Sequence, residues 1–433
     1  MAYTETTKRS YGNRVSGSFR GIGGGFILFC LGTALLWWNE GRAVKTDRML
    51  SEAQKEVVHV DDVSELNPSL NGQLIHAFAE TSTTDQLTDE DFGFSTVAIA
   101  LGRTVEYYQY NEKASSSSKD KLGGAEETTT TYTYEKGWVS SPVNSDEFKD
   151  PAYQNKNTTI MQYEARTIWA ENVHFGAYKL TERMLYGLSY VDSKVTIPEE
   201  TLRNWDKLIA TQKKDKTELA ELAKQAKAGK TTAATTEATD SLANDSTELP
   251  VDNTYKYVHA TRNGVYFGLN PNSPAIGDLR VTFKQINPGM TTVIAKVMDD
   301  TFEPYTAKNG KRFSALTSGK VSIDEIFENR QSSNNMFLWI GRIFGILLVI
   351  GGLKGIFDLL STLLKVVPFL ANIMNFGVGL VCNIVGVVWS LLVIALAWIF
   401  YRPVIGVSII VVIVAIVGFF AYRGKKKQPA PKE

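Results

Sequence analysis

Cysteine is nearly absent from this 433-residue chain: Cys30 and Cys382 are the only two, and each falls inside an apolar run. A disulfide framework in the polar part is therefore excluded, and so is a zinc site built on thiolates. Histidine is scarce as well. His59, His76, His174 and His259 form no H-x-x-x-H or similar ligand spacing, so each reads as an ordinary strand or loop residue. No G-x-S-x-G elbow and no Walker loop occurs. Neither sign of charge is in excess, with Lys+Arg and Asp+Glu at 46 each, so nothing global points to nucleic acid. The acidic run Asp89, Glu90 and Asp91 reads as a solvated turn. With no catalytic motif in place, the expectation is a non-enzymatic protein without metal or cofactor.

Apolar runs are what the chain does have. Gly21 to Trp38 carry no charge and, at about 1.5 Å per residue, span roughly 27 Å as a helix, enough to cross a bilayer. Trp37 and Trp38 stand where interfacial aromatics belong. A cleaved signal peptide is the rival reading, but its A-x-A-like cleavage site is replaced by bulky Trp, Asn and Glu, which favours an uncleaved signal anchor. "GIGGGF" at 21–26 looks like a phosphate loop, yet no strand precedes it, so close helix packing is the better account.

Three further crossings are expected at 336–353, 373–400 and 404–422. Between the first two, 354–370 reads as an interfacial amphipathic segment interrupted by Lys354, Asp358 and Lys365 and ended near Pro368. The positive-inside rule then orients the chain. Basic residues crowd the tails at 1–20 and 423–433, which places both termini in the cytoplasm and residues 43–335 in a periplasm or organelle lumen.

That polar region reads as strand-rich. "TVEYYQY" at 104–110 and "TYTYEKGW" at 131–138 alternate aromatic with polar residues, and "NEKASSSSKDKLGGAEETT" between them reads as a polar loop at a hairpin tip. "KYVHAT", "GVYFGL", "DLRVTFKQI" and "TTVIAKVM" add strands of an antiparallel sheet or barrel, with an open sheet carrying packed helices as the competitor. An insertion at about 198–250 starts as helix at Pro198, stops near Gly229 and continues as a flexible loop. Ser322 and Glu325 have capping-box spacing, so a short helix leads into the membrane. The fold class is thus a multipass α-helical membrane protein, one N-terminal plus three C-terminal transmembrane helices, with a large β-rich α+β extramembrane domain.

The membrane segments carry the candidate contacts. Gly341 with Gly345, and Gly351 with Gly355, are G-x-x-x-G pairs that let helices approach closely. Asn372, Asn375, Gly379, Asn383, Gly386 and Ser390 recur in steps of three or four and share one helical stripe. The stripe reads as helix packing with interhelical hydrogen bonds or, alternatively, as the lining of a water-filled path. Arg342 sits inside an apolar segment at the depth of Glu40, so it either reaches that carboxylate or snorkels to lipid phosphate.

"NEGRAVKT", "VEYYQY" with "YTYEKGW", "IGDLRVTF" and "FYRP" together resemble the transmembrane protein 43 family, also called LUMA, from about Arg20 to the end of the chain. The insertion at about 210–250 departs from the compact form of that family. The resemblance implies a membrane scaffold or organiser of the inner membrane in a bacterium, or of the endoplasmic reticulum and inner nuclear membrane in a eukaryote. It implies self-association, an unidentified protein partner, and lamins or emerin only in an animal cell. A channel or small-solute transporter is the alternative, and a membrane-anchored envelope hydrolase the third reading.

Overall fold

The computed structural model describes residues 3–228, 255–363 and 368–403. Its helices are α1 (Tyr11–Glu56), α2 (Glu182–Leu185), α3 (Glu199–Ala228), α4 (Ile323–Leu363) and α5 (Pro368–Tyr401). By length and composition α1, α4 and α5 are each apolar enough to cross a membrane. The expected crossing at 404–422, the tail at 423–433 and the loop part of the insertion lie outside the described residues.

The helix α1 is continuous well past the bilayer span at both ends. Ser10 caps it, its Oγ accepting from Asn13 N at 3.4 Å. At its other end Met49, Leu50 and Ala53 are buried among Leu74, Ile294, Phe313 and Phe327 of the polar domain. The helix α4 starts in the same cluster, with Ile326 and Phe327 in its first turns, so α1 and α4 leave the domain side by side. Glu325 N donates to Ser322 Oγ at 3.3 Å, the cap that the spacing predicted.

The helix after that cap is not short, and the expected interfacial segment at 354–370 is not a separate piece. One helix runs from Ile323 through Lys354 and Asp358 to Leu363, and Pro368 opens α5 instead of ending a helix. Isolated charges leave an α-helix intact, and Asp358 is matched by Ser18 Oγ, which donates to it at 2.8 Å. Proline suits a first helical position because its missing N–H is an orphan there anyway.

Along the chain run β1 (Tyr3–Arg9), β2 (Val58–Val60), β3 (Leu74–Ser82), β4 (Ala100–Asp120), β5 (Glu126–Val139), β6 (Val258–Thr261), β7 (Gly264–Phe267), β8 (Leu279–Ile286), β9 (Gly289–Met298) and β10 (Ala315–Ser318), among shorter strands. One sheet has the order β1-β5-β4-β8-β7-β6, antiparallel throughout that path. In the other, β9 lies between β3 and β10, and β2 runs parallel to β3. Inward residues of both sheets, such as Val281 and Phe283 on β8 and Val293 and Val297 on β9, form one core. From α3, Leu202, Trp205 and Ile209 enter it, with the Trp205 ring 5.2 Å from that of Phe92. The antiparallel sheet is thus what the chain adopts, as two sheets packed on one core and not a closed barrel, with α3 adding its apolar face to that core.

The hairpin of β4 and β5 is longer than its sequence suggests. Pairing persists to Asp120 opposite Glu126, so the expected polar loop is strand except for a turn at its tip with Gly123 and Gly124 at positive φ. Hydroxyl pairs hold the ladder, Ser116 with Thr130 at 2.9 Å and Ser118 with Thr128 at 2.7 Å. The run of β-branched Thr favours strand even without apolar residues.

The N-terminal tail is also strand. Residues 3–9 pair with 126–132 of β5, and the buried Arg14 fastens the hairpin tip, Nη2 to Asp120 Oδ1 at 2.7 Å and Nη1 to Gly124 O at 3.0 Å. The tip thus meets the start of α1, whereas the domain core meets its end. From Tyr107 to Asp120, β4 extends roughly 43 Å at about 3.3 Å per residue. This pairing and a bilayer around residues 21–38 exclude each other, because the hairpin's lysines and carboxylates would lie in hydrocarbon.

Candidate functional site

The antiparallel contact of α1 with α4 is built on glycine. A methyl group on Gly25 would lie 2.7 Å from Gly352 O, one on Gly352 2.5 Å from Phe29 N, and one on Gly32 2.8 Å from Val349 N. Further along, a methyl on Gly345 would strike Leu36 and one on Gly341 would strike Asn39. Backbones therefore touch along this seam, as small residues permit in lipid. Gly355 belongs to it, since a methyl there would lie 3.1 Å from Gly25 Cα, but Gly351 faces open space. The working glycines here are Gly352 and Gly355; a one-residue shift turns a helical position by about 100°, which moves Gly351 off the seam.

The expected stripe on α5 divides. Gly386 packs on Ile350, and Ser390 is buried, its Oγ donating to Gly386 O at 2.7 Å. Gly379 has nothing near it and Asn383 is exposed, while Cys382, Val393 and Ala397 complete the buried face. Asn383 thus makes no interhelical hydrogen bond among the described residues. The side chains of Asn372 and Asn375 lie outside them.

Where the apolar seam ends, charge begins. Glu40, 1% exposed, accepts from Arg342 Nε at 2.5 Å and Nη2 at 3.0 Å. Trp398 Nε1 on α5 donates to the same carboxylate at 2.8 Å. The guanidinium lies 4.9 Å from the Trp339 ring centre and 5.7 Å from that of Trp398, so one ion pair is roofed by two indoles. The structure brings Glu40 and Arg342 together and turns the arginine inward, not toward lipid phosphate. Trp398 was the member invisible in sequence; its one signal was an indole near the end of an apolar run.

Neighbouring groups extend this knot. Asn39 Nδ2 donates to Leu338 O at 2.9 Å, Asn334 Nδ2 to Ala43 O at 3.0 Å, and Arg42 Nη1 to Asn334 Oδ1 at 3.2 Å. Arg402, just past α5, pairs with Asp47 at 3.0 Å. Three helices are therefore locked at one level. Chemically the arrangement holds and orients; it presents no nucleophile beside a base.

In the domain, the acidic run does enter a turn with Glu90 and Asp91 exposed, but its first member is not solvated. Asp89 is buried, and Arg103 Nη1 reaches Asp89 and Asp91, each at 2.7 Å, with its guanidinium 5.2 Å from the Phe92 ring centre. Burial pushes the Asp89 carboxyl up, against the pull of Arg103. His59 and His76 also meet, Nδ1 to Nδ1 at 2.8 Å, because β2 and β3 pair them in register. His76 Nε2 donates to Val321 O at 2.9 Å, which leaves its Nδ1 to accept from His59. This dyad ties the strand after α1 to the residue before the α4 cap. Among the described residues no three His, Cys, Asp or Glu gather as metal ligands.

A family model described as Transmembrane protein 43 matches residues 107–403, from β4 through α5. The chain belongs to the transmembrane protein 43 family. Transmembrane protein 43 of Mus musculus is 28% identical over 402 residues, covering 90% of this chain and 86% of the mouse protein. The Homo sapiens protein is 26% identical over 419 residues, covering 93% and 91%. A Drosophila melanogaster homolog is 24% identical over 393 residues, covering 89% and 90%. No solved structure matches. As a member of the transmembrane protein 43 family with three apolar helices of spanning length, this is an integral multipass membrane protein.

Proposed function

We propose that the chain is a non-enzymatic membrane scaffold whose β-rich domain binds a protein partner or its own copies at one face of the bilayer. The observation that carries this reading is the double attachment of the domain: α1 and α4 leave one buried cluster side by side and are locked by the Glu40–Arg342–Trp398 knot. Such an anchor fixes the domain's orientation, which suits a platform. Lamins or emerin enter as partners only in an animal cell.

The proposed orientation puts both termini in the cytoplasm and the domain in a periplasm or lumen, with a fourth crossing at 404–422. Energetics favour it over the pairing of β1 with β5. Six charges on the outer hairpin, Lys113, Lys119, Asp120, Lys121, Glu126 and Glu127, would cost roughly 15–21 kcal/mol at hydrocarbon depth if each counted alone, at about 2.5–3.5 kcal/mol each, less what ion pairs such as Arg14 with Asp120 recover. Seven ladder positions return roughly 7 kcal/mol at about 1 kcal/mol net per hydrogen bond. In a bilayer β1 therefore releases, and the hairpin stays with its domain.

Purified protein reconstituted in vesicles tests the function. The scaffold reading expects no solute flux, together with cross-linked homo-oligomers or a partner captured only when residues 43–335 are present. Reproducible conductance abolished by Asn383→Leu would replace it with a channel.

A further inference from the structure

Where α1 and α4 enter the domain, a cavity of about 360 Å³ opens between the helix pair and the sheet. Its wall carries four arginines from four different elements or loops: Arg42 on α1, Arg183 on α2, Arg312 just before β10, and Arg330 on α4. No carboxylate lines it. None of the four guanidiniums forms an ion pair with a described residue; nearby acids are engaged elsewhere, Glu40 by Arg342 and Asp47 by Arg402. Arg183, Arg312 and Arg330 are exposed and so accessible to a ligand.

Four cations without an ion-pair partner around one cavity, of which Arg42 feels the pull of the Glu40 carboxylate, repel one another and favour an anion. The repulsion is visible in a neighbour: burial holds the Lys311 ammonium below its ordinary value, and the positive Arg42 and Lys45 lower it further. Guanidinium forks match phosphate oxygens two at a time, which a cluster of lysines would not.

The depth of the cavity narrows the ligand. Arg42 lies one helical turn beyond Trp38, where the uncharged span ends, and the lining residue Phe337 stands at the start of the apolar part of α4, 56% exposed. One rim is thus apolar and faces the level of lipid tails, while the wall above it is cationic. We infer that this cavity binds a phosphate group, that of an anionic lipid headgroup or of a free phosphate compound, at the membrane surface under the domain.

The test uses full-length protein in detergent, with short-chain phosphatidylglycerol, short-chain phosphatidylcholine and inorganic phosphate as probes, read by native mass spectrometry and thermal shift. Wild type is expected to retain phosphatidylglycerol over phosphatidylcholine by about tenfold. The triple variant Arg183→Gln, Arg312→Gln, Arg330→Gln is expected to lose that preference, while Arg262→Gln, which does not line the cavity, keeps it. These three arginines support no ion pair, so the triple variant should fold, and an unchanged melting point without ligand checks that. A phosphatidylglycerol response alone assigns a lipid headgroup; a matching response to inorganic phosphate assigns a free-phosphate site. Equal responses of wild type and triple variant, or a wild type that neither prefers the anionic lipid nor responds to inorganic phosphate, overturns the inference.

Discussion

Arg342 grips both carboxylate oxygens of Glu40 from a position 302 residues away in the chain, and Trp398 adds a third donor from α5. A buried pair of this kind is expensive to desolvate, so its net stabilisation is modest, but removing one partner strands the other charge at a cost of about 3–5 kcal/mol. Glu40→Gln and Arg342→Gln should each lower the unfolding midpoint of the detergent-solubilised protein clearly, and the double variant should cost less than their sum. Additive losses in that cycle would show that the two groups act independently.

The glycine seam predicts opposite signs for adjacent positions. Gly351→Ala meets open space and gains helix propensity, so it should be neutral or stabilising by up to about 1 kcal/mol. Gly352→Ala drives a methyl into the backbone of α1 and should destabilise by about 1–3 kcal/mol. Thermal unfolding of both variants in the same detergent decides; equal effects would mean that the helices do not touch there.

Acid should loosen the junction between helices and domain. Burial holds the His76 ring below its ordinary value, His59 lowers it further, and the bond to Val321 opposes both. Folding then favours the neutral ring, so its contribution is full above about 6.5 and is lost as pH falls below that. Once protonated, Nδ1 of His76 no longer accepts from His59, whose own Nε2 stands 3.2 Å from Asp61. Amide protection at residues 58–60 and 320–323, taken relative to the intrinsic exchange rate at each pH, should fall between pH 7.5 and pH 5.5 in the wild type and much less in His76→Gln. An identical pH response in both would remove His76 from the account.

Much of this architecture was legible from periodicity. The strands at 104–110 and 131–138, the helix from Pro198 and the cap at Ser322 all follow local rules, because each signal lies within a few residues of its effect. Glu40 and Arg342 were legible for a different reason: a charge in an apolar run needs a partner at its own depth. The Asp89–Arg103 pair, the His59–His76 dyad and the Arg cavity were not, since each is assembled by strand register or helix docking across long separations. Gly352 was missed in favour of Gly351 because spacing alone leaves the rotational phase of a helix open. The Ser and Thr hairpin reads as a loop in sequence because its ladder is held by hydroxyl pairs and β-branching, with no apolar alternation to announce it.

Thr6 and Thr129 are register partners in the pairing of β1 with β5. In membrane-inserted protein, Thr6→Cys with Thr129→Cys, in a Cys30→Ala, Cys382→Ala background, should form little disulfide, because the proposed topology puts the two positions on opposite faces of the bilayer. Directly opposed strand residues have Cβ atoms about 4.5–5.5 Å apart, close enough to oxidise readily if the pairing persisted. Efficient cross-linking would place tail and hairpin together.

The central claim is that α1 crosses the bilayer and holds the domain at one face. Single cysteines at Ser16 and Ser117, both exposed, test it in sealed vesicles with a membrane-impermeant maleimide. The account predicts labelling from opposite faces, Ser16→Cys from the cytoplasmic side and Ser117→Cys from the other. Labelling of both positions from one face would contradict it.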